Sequence, residues 1–91
     1  MKYHRSSNRL VMDLLRALQR HGPVGVTRLL TAANLTHGRL QGMLKGFEEN
    51  GWAIQQTKKG QATWTITGRG ERVLADLTRI DDVMQDHGLG L

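Results

Sequence analysis

Two rhythms of apolar residues divide the chain. Leu10, Val11, Leu14, Leu15 and Leu18 recur at helical spacing, with Arg9, Asp13, Arg16 and Arg20 on the opposite, solvent side. Ser6 or Ser7 can cap this first helix. The tripeptide His21-Gly22-Pro23 ends it, Gly22 being free to take a left-handed cap and Pro23 unable to continue the helix. Val24 to Val26 read as a short extended piece. A second helix then starts at Thr27, with Leu29, Leu30 and Ala33 as its apolar face. Asn34 tolerates the left-handed conformation that stops a helix. Leu35 should point inward and Thr36 should cap the next helix, so two helices meet through a very short turn.

The third helix is the unusual one. Leu40, Met43, Leu44 and Phe47 make a regular core stripe, yet Gly38, Gly42 and Gly46 share the same segment. A glycine inside a helix costs about 0.5–1 kcal/mol relative to alanine. Two readings remain open: the glycines let the helix backbone approach an outside surface, or they pack the helix closely on the first one. After Asn50-Gly51 the period drops to two. Trp52, Ile54 and Gln56 alternate along one segment, Trp64 and Ile66 along the next, and Lys58-Lys59-Gly60 lies between, which predicts a β-hairpin. Thr67 then precedes a final helix, GRGERVLADLTRIDDVM, which Leu74 should anchor to the body.

The order helix, short strand, helix, tight turn, helix, hairpin, helix describes an α+β chain, mainly α: a winged helix-turn-helix over residues 1–70 and an extended C-terminal helix over 71–91. Ninety-one residues make a single small core of modest stability. Val73, Leu77, Ile80 and Met84 are spaced four, three and four, as in a heptad seam. The seam either pairs with the same helix of a second copy, giving a homodimer, or folds back on its own body. In an antiparallel pair, Arg72 and Arg79 would lie near the partner's acidic end at Asp81, Asp82 and Asp86. Those carboxylates otherwise read as a solvated charged face.

Charge changes the picture because it is segregated. Residues 1–50 hold eight Lys/Arg against three Asp/Glu, residues 51–70 add three cations and no acid, and residues 71–91 hold two Arg against five acids. A basic body suits a polyanionic partner. The chain has no cysteine, and Asp13 interrupts the apolar run that follows the basic start MKYHRSSNR. No signal peptide or membrane span is therefore expected, and the reading is a soluble, cytoplasmic protein without a membrane partner.

No enzyme site, metal site or cofactor motif is visible; His4, His21, His37 and His87 are scattered. The expected chemistry is recognition of double-stranded DNA. With Leu40, Leu44 and Phe47 inside, His37, Gln41 and Lys45 fall four apart on the outer face, with Arg39 beside them and Thr36 at the cap. Such a helix enters the major groove N-terminus first, where Arg reads guanine and Gln reads adenine edges. Lys58 and Lys59 at the hairpin tip, and Arg28 at the start of the second helix, are placed for phosphate contacts. The alternative is a winged-helix module for protein–protein interaction that touches no nucleic acid.

From Ser7 to Met84 the chain also resembles archaeal winged-helix DNA-binding proteins of the small transcriptional-regulator type. The resemblance is carried by the Arg/Ser-rich start, by GPVGVTRLLTAANLTHGRLQGMLKGFEENGW and by WTITGRGERVLADLTRIDDVM. Within these, Leu35, Thr36 and Leu40 cross the turn, and Trp64, Ile66, Thr67 and Gly70 close the hairpin. Trp64 stands where tyrosine is usual, and the third helix is richer in glycine than is usual. The resemblance implies a DNA-binding homodimer joined by an antiparallel coiled coil of C-terminal helices, acting in transcription or on chromatin.

Overall fold

The structure is a computed structural model and describes residues 5–91. His4 and the start of the basic run lie outside the described residues. Six elements follow in the expected order: α1 (Ser7–His21), α2 (Val26–Ala33), α3 (His37–Glu49), β1 (Ala53–Lys58), β2 (Gln61–Ile66) and α4 (Gly68–Asp86). The fold is mainly helical, with one two-stranded antiparallel sheet.

Local chemistry explains each boundary. Ser6 caps α1 by accepting from the Arg9 amide at 3.1 Å. Asn34 ends α2 at φ 54°, ψ 57°, the left-handed conformation its short amide tolerates. Thr36 caps α3 and Thr67 caps α4, each hydroxyl accepting the amide three residues on. The Thr67 hydroxyl also donates to the Gly51 carbonyl at 2.6 Å, fastening the start of α4 to the end of α3. In the hairpin, Lys58 pairs with Gln61, which leaves a two-residue loop. Its residues Lys59 and Gly60 sit at φ 53° and 78°, the positive pair that a type I′ turn requires.

Two boundaries differ from expectation. Helix α2 begins at Val26, capped by Gly25 without a side-chain bond. Gly22 is extended (φ −70°, ψ 149°), not left-handed. Glycine is needed there for space, because a Cβ would lie 2.6 Å from the Leu18 carbonyl oxygen. The extended piece Val24 then exchanges two backbone hydrogen bonds with Trp64, at 3.0 and 2.8 Å, and so ties the α1–α2 link to β2.

The core lies where α1 crosses the other helices. Met12, Leu14, Leu15, Leu18, Leu29, Leu40 and Leu44 are fully enclosed, with Phe47, Trp64 and Leu74 closing around them. Met12 extends the apolar face of α1 beyond the five expected positions. Leu74 anchors α4 as expected, and Gly70 brings the helix close, since a Cβ there would lie 2.1 Å from the Trp52 carbonyl oxygen. The Trp64 indole N–H is buried without a hydrogen-bond acceptor among the described residues.

The polar side of α1 is not free solvent surface. Arg9, Asp13 and Arg16 are half-buried. Arg5 pairs with Asp13 at 2.9 Å, and Arg9 bridges Asp13 and Asp81 at 3.3 Å each. Arg16 donates to the Thr78 hydroxyl at 3.2 Å. Asp81, expected on an exposed acidic face, is only 8% exposed and also accepts from the Leu91 amide at 2.9 Å. The length of α1 brought cations to α4 that no local pattern connects to it.

Candidate nucleic-acid interface

Helix α3 precedes and packs on strand β1, and the composition of its exposed side follows from the helical period. At 100° per residue, burial of Leu40, Leu44 and Phe47 turns Gly38, Gly42, Lys45 and Glu49 directly outward. His37 and Gln41 flank that line on one side and Arg39 on the other. A Cβ added at Gly38, Gly42 or Gly46 would meet nothing within 4 Å. Packing of this glycine line on α1 is therefore excluded. The three residues lower helix propensity by roughly 1.5–3 kcal/mol together with no compensating contact among the described residues. What they create is an open strip of backbone, bordered by long polar side chains.

Thr36, His37, Arg39, Gln41 and Lys45 are all exposed, as are Arg28, Lys58 and Lys59. Among the described residues none of these side chains forms an ion pair, and apart from the Thr36 cap none makes a hydrogen bond. No acidic residue occurs between Thr36 and Phe47 or on either strand. The basic groups of α3 and the hairpin form no ion pair among the described residues, although Glu48 and Glu49 lie one turn beyond Lys45, whereas Arg5, Arg9 and Arg79 are engaged by carboxylates. Lys59 adopts a positive φ that β-turn chemistry reserves mostly for Asn, Asp and Gly. A lysine at that position adds charge to the tip at some conformational cost.

The C-terminal helix is divided. Val73 and Leu77 are half-buried and pack on the body, whereas Ile80 is 50% and Val83 54% exposed. Met84 is half-buried and Leu89 exposed. The uncovered apolar surface thus starts at Ile80 and includes Val83, which the heptad spacing left out. Val83 was legible only as a second apolar residue beside Met84. The expected ionic partners are also rearranged within the chain: Arg79 pairs with Asp76 at 2.8 Å, and Asp81 with Arg9.

A winged helix-turn-helix family model matches residues 4–85. The chain belongs to the winged helix-turn-helix family. No curated protein matches it in sequence. Among solved structures it is similar to Sso10a-2, a DNA-binding protein from Sulfolobus solfataricus, with a TM-score of 0.80 and 19% identity over 90% of this chain and 84% of that one. Bordetella bronchiseptica BpsR, whose DNA binding is regulated by 6-hydroxynicotinic acid, gives a TM-score of 0.79 at 12% identity, covering 86% of this chain and 58% of its own. MepR of S. aureus, solved with DNA, gives 0.69 at 15% identity, covering 85% and 58%. This winged-helix chain thus shares its fold with DNA-binding regulators and spans little more than half the length of the last two. No helix among the described residues is long and apolar enough to cross a membrane.

Proposed function

We propose that this winged-helix protein is a non-enzymatic, cytoplasmic binder of double-stranded DNA that works as a homodimer, as a transcriptional regulator or a chromatin-associated protein. The observation that carries the reading is two sets of exposed cations without ion-pair partners among the described residues: Arg39 and Lys45 along the α3 glycine strip, which no described residue covers, and Lys58 and Lys59 at the wing tip. In this reading α3 lies in the major groove. The bare strip lets its backbone come close, Arg39 and Gln41 reach base edges, and Arg28, Lys45 and the wing lysines hold phosphates. Thr36 and His37 lie at the leading N-terminal end, where the helix dipole favours an anion.

Residues 1–70 carry the binding and 71–91 the pairing in this scheme. Pairing is supported by the apolar surface at Ile80, Val83 and Met84; Val73 and Leu77 serve the body first and would border the seam. Two heads on one duplex gain from effective concentration.

The test is a titration of fluorescent duplex at several salt concentrations. Binding that weakens steeply with salt, with a slope reduced by up to about two in Lys58→Ala/Lys59→Ala, is expected. Salt-independent or absent binding would favour the protein-interaction module instead. Sedimentation reads the second claim separately: a 10.2 kDa species at micromolar concentration would remove the dimer.

A further inference from the structure

The leading end of α3 is held from outside the helix. Residues 36–39 are all exposed, and the first enclosed side chain of α3 is Leu40. Core packing therefore fixes the later turns of α3, whereas its first turn follows the link 34–36. In that link Leu35 is partly buried against the core, and Asn34 and Thr36 are exposed. The amides of Asn34 and Leu35 close on the Leu30 carbonyl. A helix end leaves its last carbonyls open, and those of Ala33 and Asn34 receive no backbone N–H among the described residues.

Both carbonyls accept instead from the Arg5 guanidinium, Ala33 at 2.8 Å. Arg5 lies just ahead of the Ser6 cap of α1, and its side chain is 16% exposed. Asp13, on α1, pairs with the same guanidinium at 2.9 Å and is itself steadied by Arg9. A planar fork of five N–H donors can bond two carbonyls and a carboxylate together, which an ammonium point charge matches poorly. The cation also complements the negative end of the α2 dipole. One side chain thus ties the turn between α2 and α3 to α1, across 28 and 29 positions of sequence.

We propose that Arg5 is a positioning residue for duplex binding: it locks the α2–α3 turn to α1 and so sets where the first turn of α3 lies, without touching DNA itself. The inference rests on the reading of α3 as the helix that enters the groove. Thr36, His37 and Arg39 are the side chains that Arg5 places. Hydrogen bonds hold over a donor–acceptor window of only about 0.5 Å, so a small swing of this end is enough to lose contacts made there. The Arg5 cation is already matched by Asp13, which separates its role from that of the exposed cations on α3 and the wing.

The test has two arms, both on the intact chain. In the free protein, hydrogen exchange is followed at the Leu35 and Arg39 amides, which bond the Leu30 carbonyl and the Thr36 hydroxyl. Arg5→Ala should speed exchange there by at least about tenfold more than at Leu14 and Leu44 in the core. A uniform rise, or none, overturns the proposal, because it makes Arg5 a general stabiliser or a bystander. In the second arm a mixed-sequence fluorescent duplex is titrated at several salt concentrations, at a temperature where every variant is folded. Arg5→Ala should weaken binding about tenfold with the salt slope unchanged. A slope lowered by about one would make Arg5 a phosphate contact and overturn the proposal. Arg5→Lys keeps the charge and loses the fork, so it should restore only part of the affinity; full restoration also overturns the proposal. If the wild type binds no duplex, the proposed function fails, and the exchange arm still decides whether Arg5 holds the turn.

Discussion

Helices α1 and α3 are of similar length, 15 and 13 residues, and begin alike, with a hydroxyl accepting the amide three positions on. They differ in what their polar sides face. In α1 the charged residues are bound to the rest of the chain: Arg9 to Asp13 and Asp81, Asp13 to Arg5, Arg16 to Thr78. In α3 the outer face is glycine and polar side chains without ion-pair partners among the described residues, and no described residue lies within 4 Å of where the glycine Cβ atoms would be. One helix spends its polar residues on holding the fold. The other leaves them available, and accepts weaker helix propensity in doing so. A basic residue therefore means little until its partners are known, and most of the cations of α1 drop out of any account of a polyanion partner.

The largest test removes core side chains common to both helices. Leu14→Ala and Leu40→Ala should each destabilise by about 2–5 kcal/mol in denaturant unfolding, because both side chains are fully enclosed. A much smaller loss at Leu40 would mean that α3 is only loosely held. Next comes Gly70→Ala, where the added methyl meets the Trp52 carbonyl oxygen; a loss of about 1–3 kcal/mol or more is expected. If its melting temperature matches the wild type, α4 does not sit as close to the body as described.

The comparison sharpens when one arginine is taken from each helix. Arg9→Ala leaves the buried Asp81 carboxylate with the Leu91 amide alone and should cost about 1–3 kcal/mol of stability. Arg39→Ala should change stability by less than about 0.5 kcal/mol and instead lower affinity for a preferred duplex by about 1–3 kcal/mol. Equal effects of the two on stability would erase the distinction. The smallest effect belongs to Gly42→Ala, which should stabilise the protein by about 0.5–1 kcal/mol, since its Cβ enters open space. Duplex affinity should fall in the same variant; a gain in stability with unchanged affinity would show that the glycine strip does not face DNA.

Order and boundaries of the elements were readable because they rest on local chemistry. Ser6, Thr36 and Thr67 satisfy amides three residues away, Asn34 adopts a backbone angle its own side chain tolerates, and Lys59-Gly60 turns the chain between alternating strands. The core stripe of α3 was legible for the same reason, since the helical period alone decides which positions share a face. Where the period was silent, expectation failed: Gly22 reads as a left-handed cap, but its role is set by the Leu18 carbonyl above it.

What depended on segments far apart in the chain came only with the folded molecule. Arg9 and Asp81 are separated by 72 positions, and no local pattern tells that α1 and α4 bring them together, so Asp81 left the expected acidic face for an ion pair while Asp82 and Asp86 stay exposed. The same holds for α4, where Val73 and Leu77 fall on the body and Ile80 and Val83 do not, a division fixed by where the core ends rather than by heptad spacing. Whether the α3 glycines pack inward or face out was likewise undecided along the chain, because a missing side chain carries no preference of its own. Only the folded arrangement, in which no described residue lies within 4 Å of where their Cβ atoms would be, left those glycines facing open space.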